Sequence, residues 1–249
     1  SYTHQCGQAS VANDGTIAYT MGNTLIIRKG NTRKAFDLGF YTNIANISPD
    51  ASQVAYSNID GRMFIIDTTT EKKENVAITD GYLAIWSPDG SKIAVQTANG
   101  TLAVQERATK KIHELGFGES VSWANNSEEL IFTRIERMNE MEVSGSSIRK
   151  INFDGSAEIA IVSASDNMPT DAILTHDNKL LIPYKTGAKR GLMMKELSDG
   201  ITPMTASIKE ETVISIAEDD VFGQRLSNPC DNANFKPAIS TLAFQQKIG

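Results

Sequence analysis

The chain has 249 residues, with 24 Lys and Arg against 30 Asp and Glu, a net charge of −6, 40% hydrophobic residues and 22% charged ones. That length allows roughly three quarters of the unfolded surface to be buried in one large all-β domain or two smaller ones, and the composition is far from that of a disordered chain. The acidic balance and an aromatic content of 7% speak against nucleic acid as a partner, because phosphate binding needs a basic surface, and every apolar run is too short to span a bilayer.

In chain order, Ser1 to Ser10 is mostly polar and carries no signal peptide, so the chain reads as a mature product, an excised domain or a cytosolic protein. Cys6 lies in this stretch. The first structural signal is Asn13-Asp14-Gly15 followed by Thr16-Ile17-Ala18-Tyr19, a turn that opens a strand. Ile47-Ser48-Pro49-Asp50-Ala51-Ser52-Gln53-Val54-Ala55-Tyr56 repeats it, and Ile85-Trp86-Ser87-Pro88-Asp89-Gly90-Ser91-Lys92-Ile93-Ala94-Val95 repeats it again. In this last copy Pro88 presets φ, Asp89 can bond its own backbone and Gly90 tolerates φ > 0, so one apolar strand reverses into the next.

Trp123 to Phe132 supplies a fourth copy, and weaker ones run over Leu174 to Ile182 and Phe235 to Phe244. Aligned on the turn Asp, the anchors Asp14, Asp50, Asp89, Asn126, Asp177 and Ala238 are separated by 36, 39, 37, 51 and 61 residues. A nearly fixed period through the first four units is the signature of a repeat architecture. After each hairpin come a second turn (Gly22-Asn23, Asp60-Gly61, Asn99-Gly100), a third strand (Leu25 to Ile27, Met63 to Ile66, Leu102 to Val104) and, after a polar turn, a fourth (Lys34 to Leu38, Lys111 to Leu115). Four short strands per repeat describe one propeller blade. The fold expected is therefore an all-β propeller of four-stranded blades forming a single domain over 1–249, six-bladed by the six anchors, with five blades and an irregular closing segment as the alternative.

The pattern of a small residue or Trp, Ser-Pro-Asp-Gly, two polar residues, Ile-Ala-Phe/Tyr and a Gly turn resembles the TolB-like, WD-like β-propeller repeats. The resemblance runs from residue 5 to about 200; units two and three carry it best, and unit six has lost the Asp and Gly of its turn. It implies a six-bladed, monomeric, non-catalytic binding propeller of the bacterial envelope, periplasmic or extracellular, with a protein or peptide partner. Similar repeats in peptidase-associated propellers imply the alternative, a module of a larger hydrolase whose catalytic domain lies elsewhere.

Motifs for catalysis are missing from the sequence: it has no Gly-x-Ser-x-Gly, His-Glu-x-x-His, Walker or Cys-x-x-Cys pattern. His4, His113 and His176 read as a terminal residue, an exposed structural residue on an outer strand and a turn residue. The recurrent Asp residues read as turn formers rather than ligands, so no metal or cofactor is expected, and Trp86 and Trp123 read as packing between blades. Glu119 and Asp171, just before first strands, are the acids placed for a glycan-cleaving alternative. Cys6 and Cys230 form a candidate disulfide, with two separate thiols the other reading of their spacing; closure of six blades would make their strands ring neighbours.

Loops joining strands two and three share a face with the inter-blade connections, opposite the Asp turns. Irregular segments at 134–142, 185–190 and 207–232 all map to that face and suggest a recognition rim. Arg134, Glu136, Arg137, Lys185, Lys189 and Arg190 supply its charges, and Met138, Met141 and Phe222 its apolar anchors.

Overall fold

Strand-forming stretches of β-branched and aromatic residues, separated by Gly, Asp and Asn turns, become nineteen strands in a computed structural model that describes residues 9–42, 44–137, 143–164, 173–174, 179–186 and 189–196. No helix occurs among the described residues. Blade one holds β1 (Ser10–Val11), β2 (Ile17–Met21), β3 (Thr24–Lys29) and β4 (Thr32–Asp37). Blade two holds β5 (Ala45–Ile47), β6 (Gln53–Ser57), β7 (Met63–Asp67) and β8 (Lys73–Val76). Blade three holds β9 (Gly81–Trp86), β10 (Lys92–Thr97), β11 (Thr101–Glu106) and β12 (Ile112–Phe117). Blade four holds β13 (Glu119–Trp123), β14 (Glu129–Arg137), β15 (Val143–Asn152) and β16 (Ile159–Ala164). In blade five, β17 (Ile173–Leu174), β18 (Lys179–Thr186) and β19 (Lys189–Glu196) pair in order.

Each blade is an antiparallel meander in sequence order. The expected four-stranded repeat is therefore present, and the described residues all fall in one compact unit. The sixth anchor, Ala238, and both cysteines lie outside the described residues.

Because side chains alternate across a strand, each blade buries two faces. On β6, Val54 and Tyr56 join Leu25, Ile27 and Phe36 of blade one, whereas Ala55 turns to Ala84, Trp86 and Ile93 of blade three. On β10, Ile93 and Val95 face blade two while Ala94 faces Val121, Trp123 and Phe132 of blade four. On β14, Leu130 and Phe132 face blade three while Ile131 packs with Leu180 and Ile182 of blade five. The core is thus a stack of layers between neighbouring blades. Near-continuous burial along β6 and β10 follows, so their sequences read as apolar runs rather than as alternation.

Polar clasps cross the same seams. Trp86 Nε1 donates to the Asn46 carbonyl at 2.9 Å and Trp123 Nε1 to the Ile85 carbonyl at 2.9 Å, each reaching back to the first strand of the preceding blade. Lys34 Nζ donates to the Thr68 carbonyl, Arg107 pairs with Glu74, and Lys92 Nζ donates to the Ser127 carbonyl and pairs with Glu128. The Asp turns are internally closed. Ser48 Oγ donates to Asp50 Oδ1 at 2.6 Å and the Ser52 amide to the same oxygen at 3.0 Å, and Ser87, Asp89 and Ser91 repeat both bonds at the same lengths. These bonds account for Asp50 and Asp89, while Asp177 lies outside the described residues.

Candidate functional site, the loop rim

Strand two of every blade runs away from its Asp turn, so the second turns and the inter-blade connections gather at the opposite end. Blade one contributes Gly22-Asn23 and the connection 38–42; blade two contributes 58–62 and 77–80; blade three contributes 98–100 and Gly118. Hydrogen bonds tie each connection to a second turn, of its own blade in blades one and three and of the following blade for the connection at Asp80. The Leu38 amide donates to the Asn23 carbonyl and Thr42 to Gly22, Ala98 donates to Asp80, and Gly118 donates to Gly100 at 2.9 Å. In blade two the link is steric: a Cβ on Gly61 would stand 2.6 Å from the Asp80 Cα, so the 58–62 loop rests directly on the following connection. Gly61 also has φ +74 and no other residue fits there without strain.

On this band stand four of the five large apolar side chains that are exposed among the described residues. Ile59 is 93% exposed at the tip of the blade-two loop and Phe117 is 68% exposed at the end of β12. Tyr41 lies on the first connection and Tyr82 at the start of β9. Burial and then the charge of Glu119 push the Tyr82 hydroxyl up, against a hydrogen bond with the Gln96 side chain, so Tyr82 and Glu119 are electrostatic neighbours across two blades. Asp60, Asp80 and Glu119 make no ion pair among the described residues. The Asp60 carboxylate accepts only from Asn58 Nδ2, at 3.2 Å. Arg62 is the cation of the band.

The opposite end treats carboxylates differently. Asp14 is held well below the usual carboxylate range by Lys29 Nζ at 2.5 Å and by Thr16. Asp89 opposes its own partial burial with bonds from Ser87 and Ser91 and falls to about 2. On blade two that end holds a polar cavity of about 120 Å³ lined by Gln53, Ile65, Asp67, Thr70, Lys72 and Glu74.

The residues picked from sequence are placed unevenly. Arg134, Glu136 and Arg137 lie on β14, and Lys185, Lys189 and Arg190 on β18 and β19, while residues 138–142 and 187–188 between these strands lie outside the described residues. The strands β14 and β15 run for 9 and 10 residues, against 5 and 5 in the matching pair of blade two. Arg134 is ion-paired to Glu158 at 3.1 Å and its guanidinium lies 5.4 Å from the centre of the Phe132 ring, which occupies it within its own blade. Glu119 is exposed at the start of β13. Met138, Met141, Asp171 and Phe222 lie outside the described residues. His113 lies on strand β12 as expected but is not exposed: its side chain is 9% exposed and bonds Glu106 at 2.7 Å. Sequence reasoning missed Ile59 and Phe117. The available signal was an Ile inside the polar turn Asn58-Ile59-Asp60-Gly61-Arg62 and a Phe between two glycines, Gly116 and Gly118.

No family profile and no curated protein matches the chain. Solved structures do. TolB from Acinetobacter baumannii is similar at 11% identity and a TM-score of 0.55, over 78% of this chain and 52% of that one. The β-propeller domain of the Trilobed protease from Pyrococcus furiosus, described as an open velcro topology, reaches 0.60 at 11% identity over 81% and 71%. Tricorn protease reaches 0.60 at 13% identity over 72% of this chain, which spans 19% of the length of that protease. At such identities the likeness establishes a TolB-like β-propeller fold.

Proposed function

We propose that this propeller is a non-catalytic binding module of the bacterial envelope, periplasmic or extracellular, which as a monomer closed into six blades holds a protein or peptide partner at the loop rim. The observation that supports this reading most is that Tyr41, Ile59, Tyr82 and Phe117 stand exposed at the same end of the ring as the second turns and connections. Scattered exposed apolar residues need no explanation, but large ones sharing one edge of a repeat ring mark an interaction surface. The fold likeness to TolB is in keeping with it. Loss of partner capture from an envelope fraction by the Ile59→Ser/Phe117→Ser double variant, with the circular dichroism spectrum unchanged, is the expected result. Undiminished capture refutes the rim.

A second reading is favoured by one specific observation, the likeness to propellers belonging to two proteases. Here the ring would screen substrates for a catalytic domain encoded beside it. The gene sequence on either side of this segment tests the idea directly, since a hydrolase domain in the same reading frame is required.

A further inference from the structure

The rim combines two properties that constrain its ligand further. Its apolar side chains are set among unpaired acids, and the local backbone fixes that association. Ile59 precedes Asp60 in a loop whose Gly61 presses on Asp80. Asp80 is itself bonded through its carbonyl to Ala98, on the turn that ends at Gly100, and the Gly100 carbonyl takes the Gly118 amide between Phe117 and Glu119. Glu119 in turn acts on Tyr82. Ile59, Asp60, Asp80, Tyr82, Phe117 and Glu119 therefore form one connected surface over blades two to four.

Charge on this surface is one-sided. Across 58–62, 78–82, 98–100 and 117–119 there are three carboxylates and one cation, Arg62. The turn carboxylates Asp50 and Asp89 each take several local bonds and Asp14 and Glu74 pair with lysine or arginine, whereas Asp60 takes one bond, from Asn58, and Asp60, Asp80 and Glu119 make no ion pair among the described residues. Acids left without a cationic partner around exposed apolar groups complement a cationic ligand that also carries apolar side chains.

We infer that the rim of blades two to four receives a cationic peptide segment of a partner protein, with Ile59, Tyr82 and Phe117 contacting its apolar side chains and Asp60, Asp80 and Glu119 its lysines or arginines. The inference rests on the rim-binding reading above and adds the chemical class of partner and its place on the ring, over blades two to four.

Selection of a random peptide library on the immobilised full chain tests it, with the recovered peptides then measured by fluorescence anisotropy. The expected pool is enriched in Lys or Arg together with aromatic or branched apolar residues. Its members should bind about tenfold more weakly to the Asp60→Asn/Asp80→Asn/Glu119→Gln variant and weaken as salt is raised. An acidic or uncharged pool, or affinity indifferent to the triple variant, overturns the cationic ligand while leaving the rim standing, provided Ile59→Ser/Phe117→Ser abolishes binding. Peptides that bind this double variant as well as the parent overturn the rim itself. No selectable peptide at all also counts against the inference.

Discussion

Replacing Trp86 or Trp123 by Phe probes the layered core at its polar clasps. Each indole is nearly buried, at 8% and 7% exposure, and each gives its N–H to a carbonyl of the preceding blade at 2.9 Å. Phenylalanine keeps most of the ring contact but withdraws the donor, leaving the Asn46 or Ile85 carbonyl without its partner. A partly buried acceptor stranded in this way costs about 1–2 kcal/mol, and the missing ring atoms add about 1 kcal/mol of lost packing. Trp86→Phe should therefore lose about 2–3 kcal/mol by those two contributions, and Trp123→Phe a matching amount because its bond and burial match. Urea unfolding followed by far-ultraviolet circular dichroism reads the loss without depending on the removed fluorophore. Ile59→Ser, at 93% exposure, serves as a control expected to leave the midpoint in place. A loss below about 0.5 kcal/mol in either Phe variant would refute the claim that these indoles hold successive blades together, since that is the range of neutral surface substitutions.

Gly118→Ala should destabilise by about 1–3 kcal/mol through overpacking, since its Cβ would meet Phe132 at 2.5 Å and Leu102 at 2.7 Å; thermal unfolding checks it, and an unchanged midpoint speaks against the close approach. Glu74→Gln withdraws the carboxylate from Arg107, whose side chain is 12% exposed and whose Nε is already without a partner. It should therefore cost more than the Glu74→Gln/Arg107→Met double variant, the reverse ordering in urea melts being fatal to the idea. Asp89 has its folded pKa lowered to about 2, so its stabilisation is complete above the unfolded value near 3.9 and drains away as pH falls toward 2. Asp89→Asn should flatten acid unfolding in that window, and an unaltered acid limb would contradict the assignment. Alkylation of the denatured, unreduced chain followed by mass spectrometry tests the Cys6–Cys230 pair, with no added mass expected; reduction should then cost on the order of 5 kcal/mol by loop entropy.

The blades were legible because their instructions are local. Pro88-Asp89-Gly90 dictates a reversal whatever lies nearby, and the same local code at Asp14, Asp50 and Asn126 sets the period from which four-stranded units follow. Trp86 and Trp123 were readable as inter-blade residues because they occupy equivalent places in successive repeats. The seam partners were not legible, since Glu74 meets Arg107 and Lys34 meets the Thr68 carbonyl only through the placement of one sheet beside another. The rim was half legible. Counting irregular residues favoured 134–142 and 185–190, and of these Arg134 is consumed within its own blade by Glu158. Among the described residues, short loops and connections carry the exposed apolar groups.

That outcome follows from what a turn can hide. A longer hairpin adds backbone that must be paired, and pairing draws its side chains into cross-strand contacts. A five-residue loop such as 58–62 has its backbone needs met by Asn58, whose Oδ1 accepts from the Asp60 and Arg62 amides and whose carbonyl accepts from Gly61. Nothing further is required of Ile59, so no structural demand explains an apolar residue at 93% exposure there. The acids divide on the same principle. Asp50 and Asp89 are consumed by the turns they build, whereas Asp80 and Glu119 build nothing with their carboxylates and still stand beside Ile59 and Phe117. Residues that cost solubility without contributing to folding are the ones whose presence calls for a ligand, and on this propeller they share one edge.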